Sequence, residues 1–367
     1  MPPAPLPWGE GGCRPGEGSV ADEAVVLGGL RLLATRLETI VMPRFFITGA
    51  QGCIGAWIVK NLVEREQEVF VYDLDLQPKR LSMLLAPDQL AQVQFIQGDV
   101  CDAEQLTQEI QRHRISHIIH LAGLQVPTCR ANPRLGARVN VVGTINVFEA
   151  ARSLEAQLKG MVYASSAAVF GPEEDYGDAP LDEKAPLLPV THYGVFKQCN
   201  EGNARIYFLD HQIGSVGLRP YAVYGPGRDT GITSGPTKAI KAAVVGRPYE
   251  IKFGGPVSMQ FVDDTAKIFV ACAENKKTGA RVYNIRGSVV TVEEVISHIE
   301  QVYPRARGLI RCTSNPLGIA ANLAEQGLRD EIGRVPSTPL NEGIEKTVAV
   351  FEKLKSEDRL DLSDLEG

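Results

Sequence analysis

Tyr193 and Lys197 form the residue pair in this chain with the clearest capacity for proton transfer. They are four residues apart, which would place them on one face of a helix, one turn from each other. A free phenol has a pKa of about 10 and is a poor base at neutral pH, but a neighbouring ammonium group favours the phenolate. We predict that Tyr193 is a general base toward a hydroxyl group and that Lys197 tunes its pKa. A tyrosine and a lysine also occur at this spacing by chance, so the pair needs support from elsewhere.

Ser166 is a candidate third member of this set. Ser165 and Ser166 follow an apolar run, 160–164, that we predict to be a strand. A hydroxyl at the carboxyl end of a parallel strand could hydrogen-bond the reacting oxygen and share its proton with Tyr193. The alternative is that these serines only form a turn, which is a common role of serine at strand ends.

A glycine-rich turn at 48–55 follows an apolar strand and opens a helix, which is the context of a dinucleotide-binding motif. Gly49 suits the tight turn, Gly52 lets the backbone approach a pyrophosphate, and Gly55 lets helix and strand pack closely. The N–H groups and partial positive charge of a helix N-terminus favour phosphates. An ordinary glycine-rich turn is the alternative.

Asp73 ends the second predicted strand and gives the turn a cofactor preference. Its carboxylate can accept hydrogen bonds from ribose hydroxyls and would repel a 2′-phosphate, which favours NAD over NADP. Lys79 and Arg80 lie just beyond and could soften that preference. Lys197 could also hold the nicotinamide ribose. Glycine turn, carboxylate and phenol together predict redox chemistry at an alcohol carbon.

Short apolar runs alternate with amphipathic stretches, which predicts a doubly wound parallel sheet, Rossmann-like, that binds ligands at the carboxyl ends of its strands. The predicted strands are 45–48, 69–72, 94–97, 117–120, 160–164 and 215–219. The predicted helices are 54–65, 77–85, 103–112, 137–154 and 192–210.

A smaller C-terminal α/β lobe is expected to bind the substrate. We place the NAD-binding domain at 42–235, the lobe mainly at 236–355 and a frayed tail at 356–367. Long loops at 171–189 and 224–235 interrupt the pattern, and loops of this length are often functional. Predicted elements of the C-terminal part are helices 237–245, 263–274, 292–302 and 340–354 and strands near 249–252 and 281–285.

Residues 1–41 differ from the rest, because ten of the first eighteen residues are proline or glycine and no apolar period runs through them. We expect a disordered or non-native extension, with Met42 as the natural start. The alternative is a weak helix over 22–39.

Composition excludes several classes of function. A net charge of −6 and a pI of about 5.7 give no sign of a nucleic-acid binder, and no apolar stretch at the N-terminus is long enough to span a membrane. Seven cysteines without Cys-x-x-Cys spacing are typical of reduced cytosolic thiols, so we expect a cytoplasmic protein. No histidine has a carboxylate at ligand spacing, so no metal site is expected.

These motifs resemble the extended short-chain dehydrogenase/reductase family, in its NAD-dependent epimerase/dehydratase branch, from residue 44 to about 352. The resemblance rests on the glycine turn, 98–100, 120–123, Asn140 within 139–144, 165–171, Tyr193 with Lys197, and 219–227. It implies tightly held NAD, Ser166 as the catalytic hydroxyl, and often a homodimer through a four-helix interface. The predicted cofactor contacts are Gly49, Gln51, Gly52, Cys53, Ile54, Gly55, Asp73, Asp99, Val100, Leu121, Ala122, Gly123, Asn140, Ala164, Tyr193, Lys197, Tyr221 and Val223.

Two departures from the family pattern bear on the substrate. Family dehydratases place acidic residues where this chain has Ala167 and Ala168, which disfavours elimination of water. Nucleotide-sugar enzymes commonly carry an arginine shortly before the motif at 261–264, whereas 254–260 has no basic residue here. Arg228, Lys238 or Lys241 could compensate. The predicted substrate contacts are Gln125, Ser166 and Arg228.

We therefore predict an NAD-dependent oxidoreductase or epimerase that transfers hydride at a secondary alcohol of a sugar, sugar acid or nucleotide-sugar. The sequence leaves epimerase and net dehydrogenase open. The alternatives are a catalytically silent NAD-binding regulatory or scaffold protein and a steroid-type hydroxyl dehydrogenase.

Overall fold

The computed structural model describes residues 42–275 and 278–365, and its main feature is a seven-stranded parallel sheet. The strands of this sheet are β1 (Arg44–Thr48), β2 (Glu68–Asp73), β3 (Gln94–Gln97), β4 (His117–His120), β5 (Gly160–Ala164), β6 (Ser215–Arg219) and β10 (Ala280–Asn284). Their order is β10-β6-β5-β4-β1-β2-β3. The chain reverses direction across the sheet between β1 and β4, so a crevice opens at the carboxyl ends of those strands. The predicted doubly wound fold is confirmed.

Helices cover both faces of the sheet, which explains why β6 is buried along its whole length. The helices are α1 (Cys53–Val63), α2 (Lys79–Leu84), α3 (Pro87–Leu90), α4 (Ala103–Arg112), α5 (Val126–Ala131), α6 (Pro133–Ala137), α7 (Gly143–Arg152), α8 (His192–His211), α9 (Gly235–Val244), α10 (Val262–Glu274), α11 (Val292–Val302), α12 (Gln326–Ile332) and α13 (Leu340–Ser356). Apolar side chains of α1 and α10 form a core on one face, and those of α4 and α7 form a core on the other.

The C-terminal half also contains two small sheets that the sequence did not fully predict. β7 (Ala222–Tyr224), β9 (Pro256–Phe261) and β11 (Ser288–Thr291) form one, and β8 (Tyr249–Ile251) and β12 (Ile310–Cys312) form the other. They share a core with α9, α11 and α13. The strand predicted near 281–285 was assigned to this part, yet it pairs with β6 in the large sheet as β10. Apolar periodicity identifies a strand and does not tell which sheet it joins.

The helix predicted over 137–154 is interrupted. A π-helical segment, Arg138–Val142, separates α6 from α7. Such segments are rare and often occur at functional sites.

The tail differs from the fraying that we expected. The Lys238 Nζ donates to the carbonyl oxygen of Asp364 at 2.6 Å, and the Lys241 Nζ pairs with the Asp364 Oδ1 at 2.7 Å. Arg359 also donates to the carbonyl oxygen of Ser82 at 2.8 Å. These polar contacts hold residues 357–365 against α9 and α2. The predicted extension at 1–41 lies outside the described residues.

Among the described residues, no helix is both long and apolar enough to cross a membrane. Over the same residues, no three His, Cys, Asp or Glu side chains are grouped so that they could hold a metal ion. The buried His120 stays neutral, because burial lowers its pKa to about 3.

Candidate active site

A cleft of about 690 Å³ opens at the carboxyl ends of β1, β4 and β5, and it collects nearly all the predicted site residues. The predicted residues that line it are Gly49, Gln51, Gly52, Cys53, Ile54, Gly55, Asp73, Asp99, Val100, Leu121, Ala122, Gly123, Gln125, Ala164, Ser166, Tyr193, Lys197, Tyr221, Val223 and Arg228. Asn140 is the exception. The residues come from segments separated by most of the domain, so the fold brings the two halves of the prediction together.

The glycine turn has the geometry that its motif requires. Gly49 has φ +70°, and a Cβ atom there would lie 2.5 Å from the backbone nitrogen of Ala122. A Cβ on Gly55 would lie 2.6 Å from the Cα of Ala50. Helix α1 begins directly after Gly52, and no side chain caps its first N–H groups. These N–H groups are therefore available to an anion.

Unpartnered polar atoms show that the cleft suits a charged, polar ligand. Both polar side-chain atoms of Gln51 and the Nε of Arg228 are buried without a hydrogen-bond partner. Buried polar atoms are normally paired, because leaving them unpaired is costly. A dinucleotide between the glycine turn and the loop that carries Arg228 would supply such partners, so these residues fit the predicted cofactor.

Asp73 lies at the edge of the cleft where a ribose is expected. Its Oδ2 accepts from the Gln51 N–H and its Oδ1 from the Leu74 N–H, each at 2.9 Å. Burial raises the pKa of this carboxyl group, and those backbone hydrogen bonds partly offset the rise. Arg80 is engaged with Asp229, and Lys79 is exposed and does not line the cleft. Neither residue is therefore placed to favour a 2′-phosphate.

Tyr193, Ser166 and Lys197 meet at the inner end of the cleft. Thr191 caps the N-terminus of helix α8, since its side chain accepts from the Gly194 N–H at 3.0 Å, and Tyr193 therefore lies in the first turn. Ser166 lies beside Tyr193 and favours its phenolate form, and the Lys197 Nζ lies 5.5 Å from the centre of the Tyr193 ring. Ser166 is fixed because its Oγ accepts from the Ala168 N–H at 3.1 Å.

The pKa of Tyr193 is set differently from our expectation. Burial raises the pKa above its ordinary value, and the Ser166 side chain and the charge of Arg228 partly offset the rise. The Lys197 ammonium donates to the carbonyl oxygen of Ala164 at 2.7 Å, and Lys197 is not among the groups that shift the pKa of Tyr193. Lys197 as the residue that tunes Tyr193 remains a prediction.

Burial disfavours the charged form of Lys197. Burial lowers its pKa to about 8, although nearby Cys129 and Glu201 favour the charged form. Against an ordinary value of 10.5, this shift means that the buried charge opposes folding below about pH 8. This destabilisation disappears as the pH rises from about 8 to 10.5, the pKa of Lys197 in the unfolded chain, because the folded protein releases the Lys197 proton at the lower pH.

Lys197→Met is expected to stabilise the protein at pH 7 while it abolishes activity. The shift corresponds to roughly 3 kcal/mol, and the lost hydrogen bond to Ala164 costs about 1 kcal/mol, which leaves a gain of about 2 kcal/mol. Urea unfolding of both proteins from pH 7 to 10 measures this. The difference should shrink above pH 8. A variant less stable than the parent at pH 7 would contradict the assignment of a costly buried charge.

Ser165 has a structural partner, which separates it from Ser166. Its hydroxyl donates to Glu201, and Glu201 pairs with Arg219 at 2.7 Å and 2.8 Å. Glu201 was not among the residues predicted for the site. Its position four residues after Lys197 on the same helix face was the signal available.

Asn140 acts beneath the cleft and does not line it. Its amide donates to the carbonyl oxygens of Leu124 and Gly136 at 3.2 Å and 3.1 Å, and its Oδ1 accepts from the Leu124 N–H at 3.1 Å. A Cβ on Gly123 would lie 2.5 Å from that Oδ1. In the structure Asn140 therefore shapes the loop after β4, and a direct contact with the cofactor remains a prediction.

An apolar chamber of about 470 Å³ adjoins the catalytic residues. Val126, Ala168, Ile232 and Ile319 line both this chamber and the main cleft. Arg130 lies at its wall, and Gln125 packs against Gly231 at the boundary. The rest of a substrate whose alcohol meets Tyr193 would extend into this space.

Comparison with known proteins agrees with this geometry. The model of the "NAD dependent epimerase/dehydratase family" matches residues 45–285. A UDP-glucose 4-epimerase of Mycolicibacterium smegmatis is 29% identical over 321 residues, which cover 84% of this chain and 98% of that protein. A UDP-glucuronate 4-epimerase 4 of Arabidopsis thaliana is 28% identical, covering 85% of this chain and 76% of that protein. The solved structure of MoeE5 in complex with UDP-glucuronic acid and NAD is 26% identical, with a TM-score of 0.70, and covers 84% of this chain and 99% of that chain.

Proposed function

This chain belongs to the NAD-dependent epimerase/dehydratase family, and from that membership we propose that it epimerises a secondary alcohol of a nucleotide-sugar. It is an NAD-dependent enzyme of the extended short-chain dehydrogenase type. The observation that carries the proposal is that Ser166, Tyr193 and Lys197 line one cleft together with the glycine turn, with the Lys197 Nζ 5.5 Å from the centre of the Tyr193 ring. Because Ser166, Tyr193 and Lys197 are all present, a catalytically silent regulatory or scaffold protein is disfavoured.

The chain's own residues would handle the proton while NAD supplies the acceptor for the hydride of the alcohol carbon. Ser166 orients the substrate hydroxyl, and Tyr193 removes its proton. Lys197 lies next to the Tyr193 ring and would anchor the ribose of the cofactor. Ala167 and Ala168 are buried and carry no proton donor, so elimination of water has no acid or base at that position. The chemistry is then reversible hydride transfer, which an epimerase completes by returning the hydride to the other face.

Arg228 is the residue that we propose to bind the diphosphate of the substrate or of the cofactor. Its guanidinium donates to Thr233 at 2.8 Å, while its buried Nε has no partner. Lys238 and Lys241 are poor candidates for this role. The Lys238 Nζ donates to the carbonyl oxygen of Asp364, and the Lys241 Nζ pairs with the Asp364 carboxylate. The C-terminal part, mainly 236–355, would hold the rest of the substrate. This is supported by Ile319, which belongs to that part and lines the apolar chamber.

The test is to incubate the purified, NAD-loaded protein with UDP-glucose, UDP-galactose and UDP-glucuronate and to follow the sugars by NMR. Interconversion without net NADH in solution supports the epimerase. Stoichiometric NADH release with a free sugar or sugar acid, without interconversion of the UDP-sugars, would replace it with the second candidate, a net dehydrogenase of a smaller alcohol. That candidate is favoured by the apolar chamber and by the lack of a basic residue in 254–260.

We also propose a homodimer, supported by an apolar stripe on α8. Val195, Ile206 and Leu209 are 46%, 48% and 54% exposed, and Val142 on the neighbouring π-helical segment is 47% exposed. Their spacing on α8 is that of a helix-packing seam. The six cysteines of the described residues are not joined in disulfides, which supports a reducing, cytoplasmic location.

Ile206→Glu is expected to convert the dimer to a monomer, because it places a charge at the centre of this seam. Light scattering after size-exclusion chromatography measures the mass. Val289→Glu, an equally simple change at an exposed apolar residue away from α8, serves as the control. A dimer that survives Ile206→Glu would rule out this face.

A further inference from the structure

Arg80 joins two segments that face each other across the cleft. Its Nη1 donates to the carbonyl oxygen of Gln51 in the glycine turn at 2.7 Å. Its Nε donates to the carbonyl oxygen of Gly227 at 2.9 Å and to the Asp229 carboxylate at 3.1 Å. Its Nη2 forms a second bond with Asp229. We propose that Arg80 and Asp229 form a clasp that retains NAD during catalysis, an inference that rests on the proposed function.

The clasp lies where it can control the cofactor. Gln51 belongs to the turn that faces the pyrophosphate, and Asp229 belongs to the loop 225–234, which also carries Arg228. Gln51, Arg80 and Arg228 all line the cleft. A single guanidinium thus ties the phosphate-binding turn to the loop opposite it. Separation of these two segments would widen the cleft at the pyrophosphate.

The base of the loop is held independently of the clasp. The Trp57 Nε1 donates to the carbonyl oxygen of Pro226 at 2.9 Å, and the Gly225 N–H donates to the Thr237 Oγ1 at 3.0 Å. Gly227 and Gly231 have φ +91° and +94°, so glycines flank the segment that the clasp holds. The middle of the loop can therefore open while its base stays fixed.

The clasp also leaves Arg228 free for an anion. Asp229 is the neighbour of Arg228 and would otherwise be available to pair with it. Arg80 occupies the Asp229 carboxylate, and the buried Nε of Arg228 has no protein partner. The pair therefore positions the loop and also keeps its cation available.

An epimerase needs such retention, since loss of the reduced cofactor before the hydride returns would end the cycle. Both clasp side chains are partly exposed, 25% for Arg80 and 29% for Asp229. Water can therefore reach the pair and allow it to open. A clasp of this kind slows release without making it irreversible.

Arg80→Gln and Asp229→Asn should each speed NAD release by about tenfold to a hundredfold, and the double variant should release it no faster than Arg80→Gln. The release rate is measured by diluting NAD-loaded protein into excess etheno-NAD and following fluorescence. Arg65→Gln is the matched control, because it breaks an ion pair with Glu274 outside the cleft. Melting temperatures identify any variant whose fold is impaired.

Unchanged release rates in folded Arg80→Gln and Asp229→Asn would overturn the clasp. Additive effects in the double variant would also overturn it, since the two residues would then act separately. During turnover of UDP-sugars, the variants should release NADH that the parent retains. A parent protein that binds no NAD at all would instead refute the proposed function, so the two failures are distinguishable.

Discussion

Tyr193→Phe is expected to lower kcat by about 10²–10⁴-fold and to leave NAD bound. The substitution removes one oxygen, the atom that we propose to take the substrate proton, and keeps the ring that packs over Lys197. The glycine turn, Asp73 and Lys197, to which we assign the pyrophosphate and ribose contacts, are left intact, so cofactor occupancy should not change. Ser166 would be left without its phenol partner but would keep its bond with the Ala168 N–H.

Tyr207→Phe is the matched control for this prediction. Tyr207 lies on the same helix α8, and its hydroxyl donates to Glu149 at 2.7 Å, outside the cleft. The Tyr207→Phe variant should therefore keep a kcat near that of the parent protein. Stopped-flow measurement of NADH formation and absorbance of bound NAD separate chemistry from cofactor binding. A Tyr193→Phe protein that keeps more than about a tenth of the parental kcat would remove Tyr193 from the general-base role.

Elements with strong periodicity were predictable from the sequence, and those that depend on distant contacts were not. Strands β3 to β6 match their predictions because each is a short apolar run bounded by turn residues. β7, β9, β11 and β12 were missed, since they lie in loop-rich sequence and are defined by pairing between distant segments, which gives no local signal. The division of 137–154 by a π-helical segment has no sequence signature of its own.

The site shows the same contrast. The glycine turn, Asp73, Ser166, Tyr193 and Lys197 were found because local motifs carry them. The Arg80–Asp229 pair joins residues 149 positions apart, and nothing in the sequence links them before the chain folds. The pKa of Tyr193 also depended on burial and on Arg228, which spacing along a helix does not reveal.

Replacement of Glu201 by glutamine is expected to destabilise the protein by about 3–5 kcal/mol, because it leaves the Arg219 guanidinium buried without a counter-charge. The two side chains are 8% and 3% exposed. Glu201 lies on the catalytic helix α8 and Arg219 on β6, and the Arg219 guanidinium also contacts the Asn284 side chain and the Phe170 ring. The pair therefore holds the catalytic helix to the sheet, two turns beyond Tyr193.

Urea unfolding measures this loss, and Asp210→Asn on the same helix is the control, since Asp210 is exposed and should change stability by less than about 0.5 kcal/mol. The double variant Glu201→Met with Arg219→Met should recover most of the stability, because no buried charge remains unpaired. It should still lose activity, since Glu201 helps to keep Lys197 protonated. A loss below about 1 kcal/mol in Glu201→Gln would mean that α8 is held by its apolar contacts alone. If the double variant recovers stability but not activity, as we expect, the electrostatic effect of Glu201 on Lys197 is separated from its structural role.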